Sequence, residues 1–246
     1  MQDDLSDTAL VIAAGGSSTR FGGDNKLLVH LNGIPLFAHS ILRAAPLLPE
    51  EGGRIVMAVP PGQEERFFEL AEEFLPGIRI EFVKGGENRL ESVLHALEHL
   101  DSSRIRIAAV HDAARPMLNP DLLRKTVEEA RRHGGALVCR KICDTVKWVN
   151  GASGVIERTV PRDCLWGAET PQCFELSLLL PACRKALAAG FEATDEASVM
   201  EHFSDVRPVV VENRDPNPKI TYREDLTATS VLLPLFPAQE SSCGME

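Results

Sequence analysis

The sequence predicts an α/β fold, in which a single doubly wound and mostly parallel sheet carries helices on both faces and one projecting β-arm. Short apolar runs of β-forming residues alternate with helical patterns as far as residue 141, which is typical of parallel strands joined by helices. Later, a segment of alternating apolar and polar residues surrounds a glycine-containing turn, which indicates a β-hairpin. No long linker divides the 246 residues, so we expect one domain over 1–233 and a flexible tail at 234–246.

The first half of the predicted sheet begins with a buried strand at Leu10–Ala14, where small and apolar residues are consecutive. A helix is predicted at Pro35–Ala45, because proline is favoured in a first helical turn. The β-rich run Arg54–Val59 predicts a second strand. Helical spacing predicts a helix over Gln63–Phe74, which ends before Pro76.

The middle of the chain continues the alternation. A third strand is predicted at Arg79–Val83, and the apolar residues of Arg89–Leu100 recur at helical spacing. The apolar run Arg104–Val110 predicts a fourth strand. Pro120–His133 is predicted to be a helix, because an asparagine precedes it and a glycine follows it, as is typical of helix caps. Ala136–Lys141 predicts a fifth strand.

The alternation breaks at Asp144–Val160, the predicted hairpin. This segment is too polar for the central sheet, so we interpret it as the β-arm. Helical patterns follow at Leu176–Ala189 and Glu196–His202. Val206–Val211 predicts a last strand, and Asp225–Leu232 predicts a closing helix.

The overall charge excludes some classes of partner. The 36 acidic residues outnumber the 26 basic ones and give a net charge of −10, which argues against general binders of nucleic acid or anionic membranes. The N-terminal residues lack the features of a signal or transit peptide, and no apolar run reaches the roughly 18 residues of a membrane span. The six cysteines form no CxxC pair, which is typical of reduced thiols. We therefore expect a cytoplasmic protein without nucleic-acid or membrane partners.

The stretch after the first strand, Gly15–Gly23, is rich in glycine. Ligands of doubly wound sheets bind where the parallel strands end, and glycine-rich backbone there can cradle phosphate with its N–H groups. Arg20 and Lys26 add positive charge, although a solvated turn would carry the same residues. The glycine spacing differs from the Rossmann fingerprint, which disfavours a dinucleotide-dependent oxidoreductase. A Walker A loop would need a hydroxyl residue in place of Leu27.

Five further motifs follow predicted strands, the arm or later loops. They are GGENRLESV at Gly85–Val93, HDAARP at His111–Pro116, TVPRDCLWGAETPQ at Thr159–Gln172, TDEAS at Thr194–Ser198 and NPKIT at Asn217–Thr221. Together with the glycine-rich loop, they resemble the 2-C-methyl-D-erythritol 4-phosphate cytidylyltransferases of the non-mevalonate isoprenoid pathway. The resemblance covers about Leu10–Leu226. The ribitol 5-phosphate cytidylyltransferases share this layout.

The resemblance implies a nucleotidyltransferase domain that transfers CMP from CTP to an alditol phosphate and releases pyrophosphate. The phosphate oxygen of the alditol attacks the α-phosphorus of CTP in line. Both reactants are strongly anionic, so catalysis depends on positioning and charge neutralisation, and no covalent intermediate is needed. Methylerythritol phosphate is the expected alditol and ribitol phosphate is the alternative. A catalytically silent nucleotide-binding homologue is a second alternative, which the retained cations disfavour.

The resemblance also assigns roles to residues. The implied catalytic residues are Arg20, Lys26, Arg162 and Lys219, of which the last two hold the alditol phosphate. The implied nucleotide-binding residues are Ala14, Gly15, Gly16, Gly85, Gly86, Glu87, Ser92 and Ala113. The implied substrate contacts are Arg115, Asp144, Thr170 and Thr194. Asp112 is implied to hold Mg²⁺ or another divalent cation, and the β-arm at 144–160 is implied to join a homodimer.

Several of these residues also have a structural interpretation. Asp112 is also compatible with a cap or turn, Arg115 with a scaffold cation, and the hydroxyls of Thr170 and Thr194 with caps or turns. His111 is interpreted as structural, because the implied chemistry assigns it no proton transfer.

The opening loop departs from the family pattern at three positions. Ser18 stands where a second glycine is common, Asn25 where proline is common and Leu27 where glutamine is common. Both cations of the loop are retained, so the departures concern how the loop closes.

Overall fold

The computed structural model describes residues 5–15, 21, 25–49 and 51–236. In chain order, the strands are β1 (Thr8–Ala13), β2 (His30–Leu31), β3 (Ile34–Pro35), β4 (Arg54–Val59), β5 (Glu81–Lys84), β6 (Ile107–Asp112), β7 (Gly135–Lys141), β8 (Val146–Val149), β9 (Ile156–Val160), β10 (Trp166–Glu175) and β11 (Val209–Glu212). The helices are α1 (Leu36–Ala44), α2 (Glu64–Phe74), α3 (Arg89–Glu98), α4 (Pro120–His133), α5 (Leu176–Ala188), α6 (Glu196–Phe203) and α7 (Arg223–Leu232). Short 3₁₀ turns lie at Lys26–Leu28, Ala45–Leu47 and Leu233–Leu235.

In the described part of the chain, seven strands form one sheet in the order β11-β7-β10-β6-β1-β4-β5. β1 pairs in parallel with β4 and β6, β4 with β5, and β7 with β11. Within this sheet of the described residues, β10 is the strand that pairs antiparallel, with both β6 and β7. The predicted α/β class with a mostly parallel sheet is therefore confirmed. The predicted strands and helices all form, and their ends differ from the prediction by three residues at most.

The sequence does not predict β10, although this strand is ten residues long and lies inside the sheet. Its first half contains a glycine and two polar residues, and its register with β7 shifts between Ala168 and Gln172. No regular alternation therefore marks it in the sequence. Because β10 runs against its neighbours, its first half, which includes Thr170, lies at the edge where β6 ends.

Two apolar cores cover the two faces of the sheet. Leu10 and Ile12 of β1 belong to the core that includes Phe37 of α1 and residues of α2 and α4. Ala9 and Val11 belong to the core formed with α3, α5 and α6. Successive side chains of a strand point to opposite faces, so a strand covered on both sides is apolar throughout. This explains the continuous apolar run of the first strand.

The small hairpin of β2 and β3 is also absent from the prediction. Its turn residues Asn32 and Gly33 have φ angles of 51° and 83°. Asparagine and glycine tolerate this left-handed region best. The hairpin leads into α1, which begins directly after Pro35.

β8 and β9 pair with each other in a separate antiparallel sheet, which confirms the hairpin predicted at 144–160. Apolar side chains of this β-arm are exposed, including Trp148 at 55% and Ile156 at 59%. The Arg158 guanidinium lies over the Trp148 ring at 5.1 Å. Within one chain, the β-arm therefore presents an apolar surface to its surroundings.

No helix among the described residues is long and apolar enough to cross a membrane. The cysteines that the structure describes are all free thiols, and they are Cys139, Cys143, Cys164, Cys173 and Cys183. Of the predicted tail at 234–246, the structure describes 234–236, and positions 237–246 lie outside the described residues.

Candidate active site

The candidate site lies at the end of β1, where the order of the strands in the sheet switches from one side of β1 to the other. From β1 the chain builds β4 and β5 on one side and then returns through α3 to β6 on the other side of β1. Ala13 is paired with Asp112 at the ends of β1 and β6, so both strands end at the same edge of the sheet, at the kind of switch point where doubly wound folds bind ligands. The predicted nucleotide-binding residues Ala14 and Ala113 follow directly and are buried. Their backbone lines the end of the sheet, where Ala113 N donates to Ala13 O at 3.2 Å.

Asp112, the last residue of β6, is surrounded by three cations. Its carboxylate oxygens lie 2.8 Å from Lys219 Nζ, 3.1 Å from Arg89 Nε and 3.5 Å from Arg115 Nε. Burial would raise the pKa of this carboxyl group, but the charges of Arg89 and Lys219, with a smaller part from Arg115, hold the pKa well below its ordinary value. Asp112 is therefore an ionised carboxylate that gathers positive charge at the end of the sheet.

Arg115 is held in place beside Asp112 by the NPKIT motif. Its Nη1 donates to the carbonyl of Asn217 at 2.7 Å. Its Nε is buried and has no hydrogen-bond partner among the described residues. Asn217 is in turn fixed to β10, where its Nδ2 donates to Thr170 O at 3.0 Å. The predicted substrate contact Arg115 is thus a fixed cation whose buried Nε faces the Asp112 carboxylate.

Lys26 reaches the same edge of the sheet. Its Nζ donates to the backbone carbonyl of Ile220 at 2.7 Å, and Ile220 follows Lys219 in the chain. Ile220 N donates to Ala114 O at 2.9 Å, which fastens the NPKIT motif to the segment after β6. Two of the predicted catalytic cations, from opposite ends of the sequence, therefore meet at one loop.

Two departures from the family pattern have a structural role beside Lys26. Asn25 Oδ1 accepts a hydrogen bond from Leu27 N at 3.1 Å and caps the 3₁₀ turn. Asn25 Nδ2 donates to Gln63 Oε1 at 2.6 Å. Leu27 is buried in the apolar core. These residues hold Lys26 on a short, anchored turn.

Three residues named from the sequence lie outside the described residues, namely Gly16, Ser18 and the predicted catalytic residue Arg20.

His111 belongs to a buried chain of hydrogen bonds. Its Nε2 donates to the carbonyl of Arg115 at 3.0 Å, because a carbonyl oxygen can only accept. Nδ1 of the neutral ring accepts from the Thr170 hydroxyl at 3.0 Å, and this hydroxyl accepts from Asp112 N at 3.2 Å. Complete burial lowers the pKa of His111 to about 4. The neutral ring thus has the expected structural role, and the Thr170 hydroxyl holds the end of β6.

The loop after β5 is shaped by Ser92 of α3, a predicted nucleotide contact. Ser92 Oγ donates to Asn88 O at 2.8 Å and accepts from Gly86 N at 3.0 Å. A Cβ at Gly15 would collide with Ser92 Oγ, and one at Gly85 would lie 2.9 Å from a backbone carbonyl. Glycine is therefore required where the loops after β1 and β5 approach each other. Glu87, at the tip of the second loop, is exposed.

Three predicted substrate contacts are not brought to Asp112 within one chain. Asp144, Arg162 and Thr194 are exposed, and in the described residues none of them forms a hydrogen bond or ion pair with Asp112. Asp144 and Arg162 lie at the base of the β-arm. Thr194 lies before α6 and lines a cavity of about 770 Å³.

Two residues of the site, Arg89 and Glu196, are present in the motifs but are assigned no role by the sequence analysis. Arg89 Nη1 and Nη2 donate to Glu196 Oε1 at 2.6 Å and Oε2 at 3.0 Å. Arg89 is the first residue of α3, where the helix dipole disfavours a cation. The position of Arg89 at the start of a predicted helix is the sequence feature that could have identified it, because a cation at a helix N-terminus needs an acidic partner.

The described side chains around Asp112 could hold a divalent cation only together with phosphate oxygens of a ligand. The described residues contain no group of three or more His, Cys, Asp or Glu side chains that could hold a metal ion. Asp112 offers one carboxylate among cations that attract phosphate. One or two carboxylates plus phosphate oxygens are the usual ligands of Mg²⁺ in such sites.

Comparison with known proteins identifies the family. The family model described as 2-C-methyl-D-erythritol 4-phosphate cytidylyltransferase (IspD) matches residues 8–234. A protein of that name from Shouchella clausii (strain KSM-K16) is 36% identical over 227 residues, which are 92% of this chain and 95% of the relative.

Solved structures agree with this match. The crystal structure of 4-diphosphocytidyl-2C-methyl-D-erythritol synthase from Anaerococcus prevotii DSM 20548 has a TM-score of 0.78 at 25% identity, over 91% of this chain and 96% of that chain. The 2-C-methyl-D-erythritol 4-phosphate cytidylyltransferase of Francisella tularensis has a TM-score of 0.75 at 27% identity, over 92% and 100% of the two chains. The match covers the glycine-rich loop and all five further motifs. The chain therefore belongs to the 2-C-methyl-D-erythritol 4-phosphate cytidylyltransferase family.

Proposed function

We propose that this protein transfers CMP from CTP to 2-C-methyl-D-erythritol 4-phosphate, which yields 4-diphosphocytidyl-2-C-methyl-D-erythritol and pyrophosphate for isoprenoid biosynthesis. The observation that carries the proposal is the convergence of Lys219, Arg89 and Arg115 on Asp112 at the switch point of the sheet. Two polyanionic reactants meet in this reaction, so the site must supply fixed positive charge. The methylerythritol name of the relatives favours this alditol over ribitol.

The chain's cations supply the chemistry that the transfer needs. The alditol phosphate oxygen attacks the α-phosphorus of CTP, the bond to the β-phosphate oxygen breaks, and pyrophosphate leaves with the electron pair. Lys26 and Lys219 are both held at the NPKIT motif, where Lys26 neutralises charge that shifts towards the leaving group and Lys219 holds the alditol phosphate. Arg115 adds the positive charge of a guanidinium that is fixed beside Asp112. Positioned cations of this kind lower the barrier without forming a covalent bond.

The titratable groups near the site support a transfer without a protein nucleophile. Burial raises the pKa of Cys139 to about 11 and that of Cys183 to about 12, so both thiols are protonated at neutral pH. His111 is neutral and uses both ring nitrogens. A phosphate monoester is largely ionised at neutral pH, so it attacks without the help of a base.

A divalent cation, Mg²⁺ or one like it, is part of the proposal. Asp112 would hold it together with phosphate oxygens of CTP, and it would add charge neutralisation at the phosphates when bound. The low pKa of Asp112 keeps this carboxylate deprotonated, as a metal ligand must be.

A homodimer that is joined through the β-arm would complete the alditol site. The arm exposes Trp148 and Ile156, and a two-stranded hairpin with an apolar surface is marginally stable unless it packs against something. The cavity beside Thr194 has apolar lining residues such as Trp166 and Val210, which fit an apolar arm from a second copy. Arg162, at the base of the arm, would then lie beside the partner's site.

Shortening the arm tests this part of the proposal. Replacement of Lys147–Glu157 by a short glycine turn should give a folded monomer with poor activity, measured by sedimentation and by kinetics. Val231→Glu, which changes an exposed valine of α7, is the control and should leave the dimer intact. A shortened variant that remains dimeric, with an unchanged KM for the alditol phosphate, would contradict the role of the arm.

Product analysis tests the function itself. With CTP and 2-C-methyl-D-erythritol 4-phosphate, we expect equal amounts of pyrophosphate and of a product with the mass of the cytidine diphosphate adduct. Binding of CTP without release of pyrophosphate would instead identify a catalytically silent nucleotide-binding homologue.

A further inference from the structure

Arg89 is shared between two acidic side chains that lie on different elements. Nη1 and Nη2 form a bidentate pair with Glu196, and Nε donates to Asp112 Oδ1 at 3.1 Å. The donors of a guanidinium lie in one plane with fixed directions. The pair with Glu196 therefore sets the direction in which Nε meets Asp112.

Glu196 is an anchored partner. It is the first residue of α6, and its side chain is 3% exposed. Asp195, which caps the helix, accepts from Gln172 Nε2 at 2.9 Å, and Gln172 Oε1 accepts from Ala197 N at 3.0 Å. These bonds fasten the start of α6 to β10 without the participation of Arg89. Glu196 is therefore held in place by the fold, and the long Arg89 side chain is the adjustable member of the pair.

The charges show what would happen if Glu196 were neutral. Arg89 stands at a helix N-terminus, where its charge is disfavoured, and Asp112 would become its remaining acidic partner among the described contacts. A guanidinium prefers to bind a carboxylate with two donors. Arg89 would then compete for Asp112 Oδ2, the oxygen that now lies 2.8 Å from Lys219 Nζ.

We propose that Glu196 is a positioning residue for CMP transfer: it holds two donors of Arg89 and thereby leaves Asp112 Oδ2 to Lys219. The proposal rests on the proposed function, because it assigns Lys219 to the reacting phosphates. It also couples the start of α6, which follows Thr194, to the end of β6. Arg89 and Glu196 thus connect the side of the site that holds the alditol contact with the side that holds the nucleotide loop.

Charge and shape at position 196 can be separated by two substitutions. Glu196→Gln keeps the shape and removes the charge, so we expect kcat to fall about 10- to 100-fold, as for a displaced catalytic group. KM for CTP should change less than about 3-fold, because ground-state binding does not depend on the Lys219 position alone. Glu196→Asp keeps the charge and should retain more activity than Glu196→Gln. A purely structural role predicts the reverse order, in which the isosteric Gln variant is the more active one.

Controls separate this proposal from the proposed function. Glu175→Gln removes the acid of the Arg106–Glu175 pair, which is formed at 2.7 Å at the other end of β6, and should leave kcat unchanged. A wild-type enzyme without activity would overturn the proposed function. An active wild type whose kcat is retained in Glu196→Gln would overturn the positioning role alone.

A double variant covers the case in which Glu196→Gln does not fold. Arg89→Gln combined with Glu196→Gln leaves no unpaired buried charge at this place, so it should fold with a melting temperature near that of the wild type. Its kcat should stay close to that of the wild type, because no guanidinium is left to compete with Lys219 for Asp112 Oδ2. A loss of kcat of about 10-fold or more in this folded double variant would overturn the positioning role.

Discussion

Lys219 Nζ lies 2.8 Å from Asp112 Oδ2, and this contact joins the NPKIT motif near the end of the fold to the last residue of β6. The two side chains differ in exposure, since that of Lys219 is 43% exposed and that of Asp112 is 9% exposed. The buried carboxylate therefore holds an ammonium group that a ligand in solution can still reach. The ion pair fixes the positive charge of Lys219 at the end of β6, as a binding site for phosphates requires.

Replacement of Asp112 tests this arrangement. We expect Asp112→Asn to reduce kcat strongly and to destabilise the protein at neutral pH, because Arg89, Arg115 and Lys219 lose their shared counter-charge. Loss of one partner in a fully buried pair costs about 3–5 kcal/mol. The cations here are partly exposed, so a loss of about 1–3 kcal/mol in the free energy of unfolding is expected, measured by urea unfolding.

The pH dependence of that loss has a definite sign. The pKa of Asp112 is lower in the folded state than the ordinary aspartate value of about 3.9. Its stabilising contribution is therefore fully present above about pH 4 and is lost as the pH falls further. The difference between wild type and Asp112→Asn should be constant from pH 5 to 8 and shrink below pH 4. A difference that grows on acidification would contradict the ion-pair cluster.

His111 predicts a second and separate pH effect. Its pKa is about 4 in the folded state and about 6.5 in the unfolded chain, so the unfolded chain takes up the proton first. The stability that this neutral ring contributes is fully present above pH 6.5 and is lost as the pH falls towards 4. Between pH 7 and 5, the wild type should lose about 1–2 kcal/mol more than His111→Gln. Equal losses in urea unfolding would show that His111 is not buried as a neutral ring.

Lys26 is predicted to act mainly on the transition state. Its anchored turn places the ammonium group beside the NPKIT motif, where it can stabilise the charge that develops on the leaving pyrophosphate. Lys26→Ala should lower kcat by about 10²- to 10³-fold, as does loss of a preorganised electrostatic donor, with a smaller change in KM for CTP. Lys125→Ala, on the exposed surface of α4, is the matched control. A rise in KM alone would make Lys26 a ground-state binder.

Metal removal should abolish turnover. The described residues offer a single carboxylate and a few cations against the charge of a triphosphate, so we expect activity to disappear in excess EDTA and to return with Mg²⁺. The Asp112→Asn variant should need more Mg²⁺ for half-maximal activity than the wild type. Unchanged turnover in EDTA would exclude a divalent cation from the reaction.

Much of the fold can be predicted from the sequence, because the hydrophobic periodicity and the burial of a strand or helix are reflected in its own local sequence. β1 is buried on both faces and is therefore continuously apolar, and α4 carries its caps Asn119 and Gly134 in the sequence. β10 has no such local feature in its sequence. It lies inside the sheet, but its register shift and its polar first half serve the site instead of a core. Its position depends on long-range pairing with β6 and β7, which no local pattern encodes.

The candidate site is only partly visible for the same reason. The end of an apolar strand marks Asp112, and the glycine-rich loop marks Lys26, since both are local features. The contact between Lys26 and Ile220 joins residues that are 194 positions apart. The pair of Arg89 with Glu196 joins residues that are 107 positions apart. Such pairs form only when the sheet brings their loops together, and a sequence pattern can at most indicate that a cation such as Arg89 needs an acid.

Comparison of two alditol phosphates as substrates is the most direct test of the proposed activity. The quantity to measure is kcat/KM for 2-C-methyl-D-erythritol 4-phosphate and for D-ribitol 5-phosphate, with CTP saturating and pyrophosphate release as the readout. We expect methylerythritol phosphate to be preferred by about 100-fold or more, because a polar site that fits one set of hydroxyl groups discriminates strongly against another. An equal or higher kcat/KM for ribitol phosphate would contradict the proposed function.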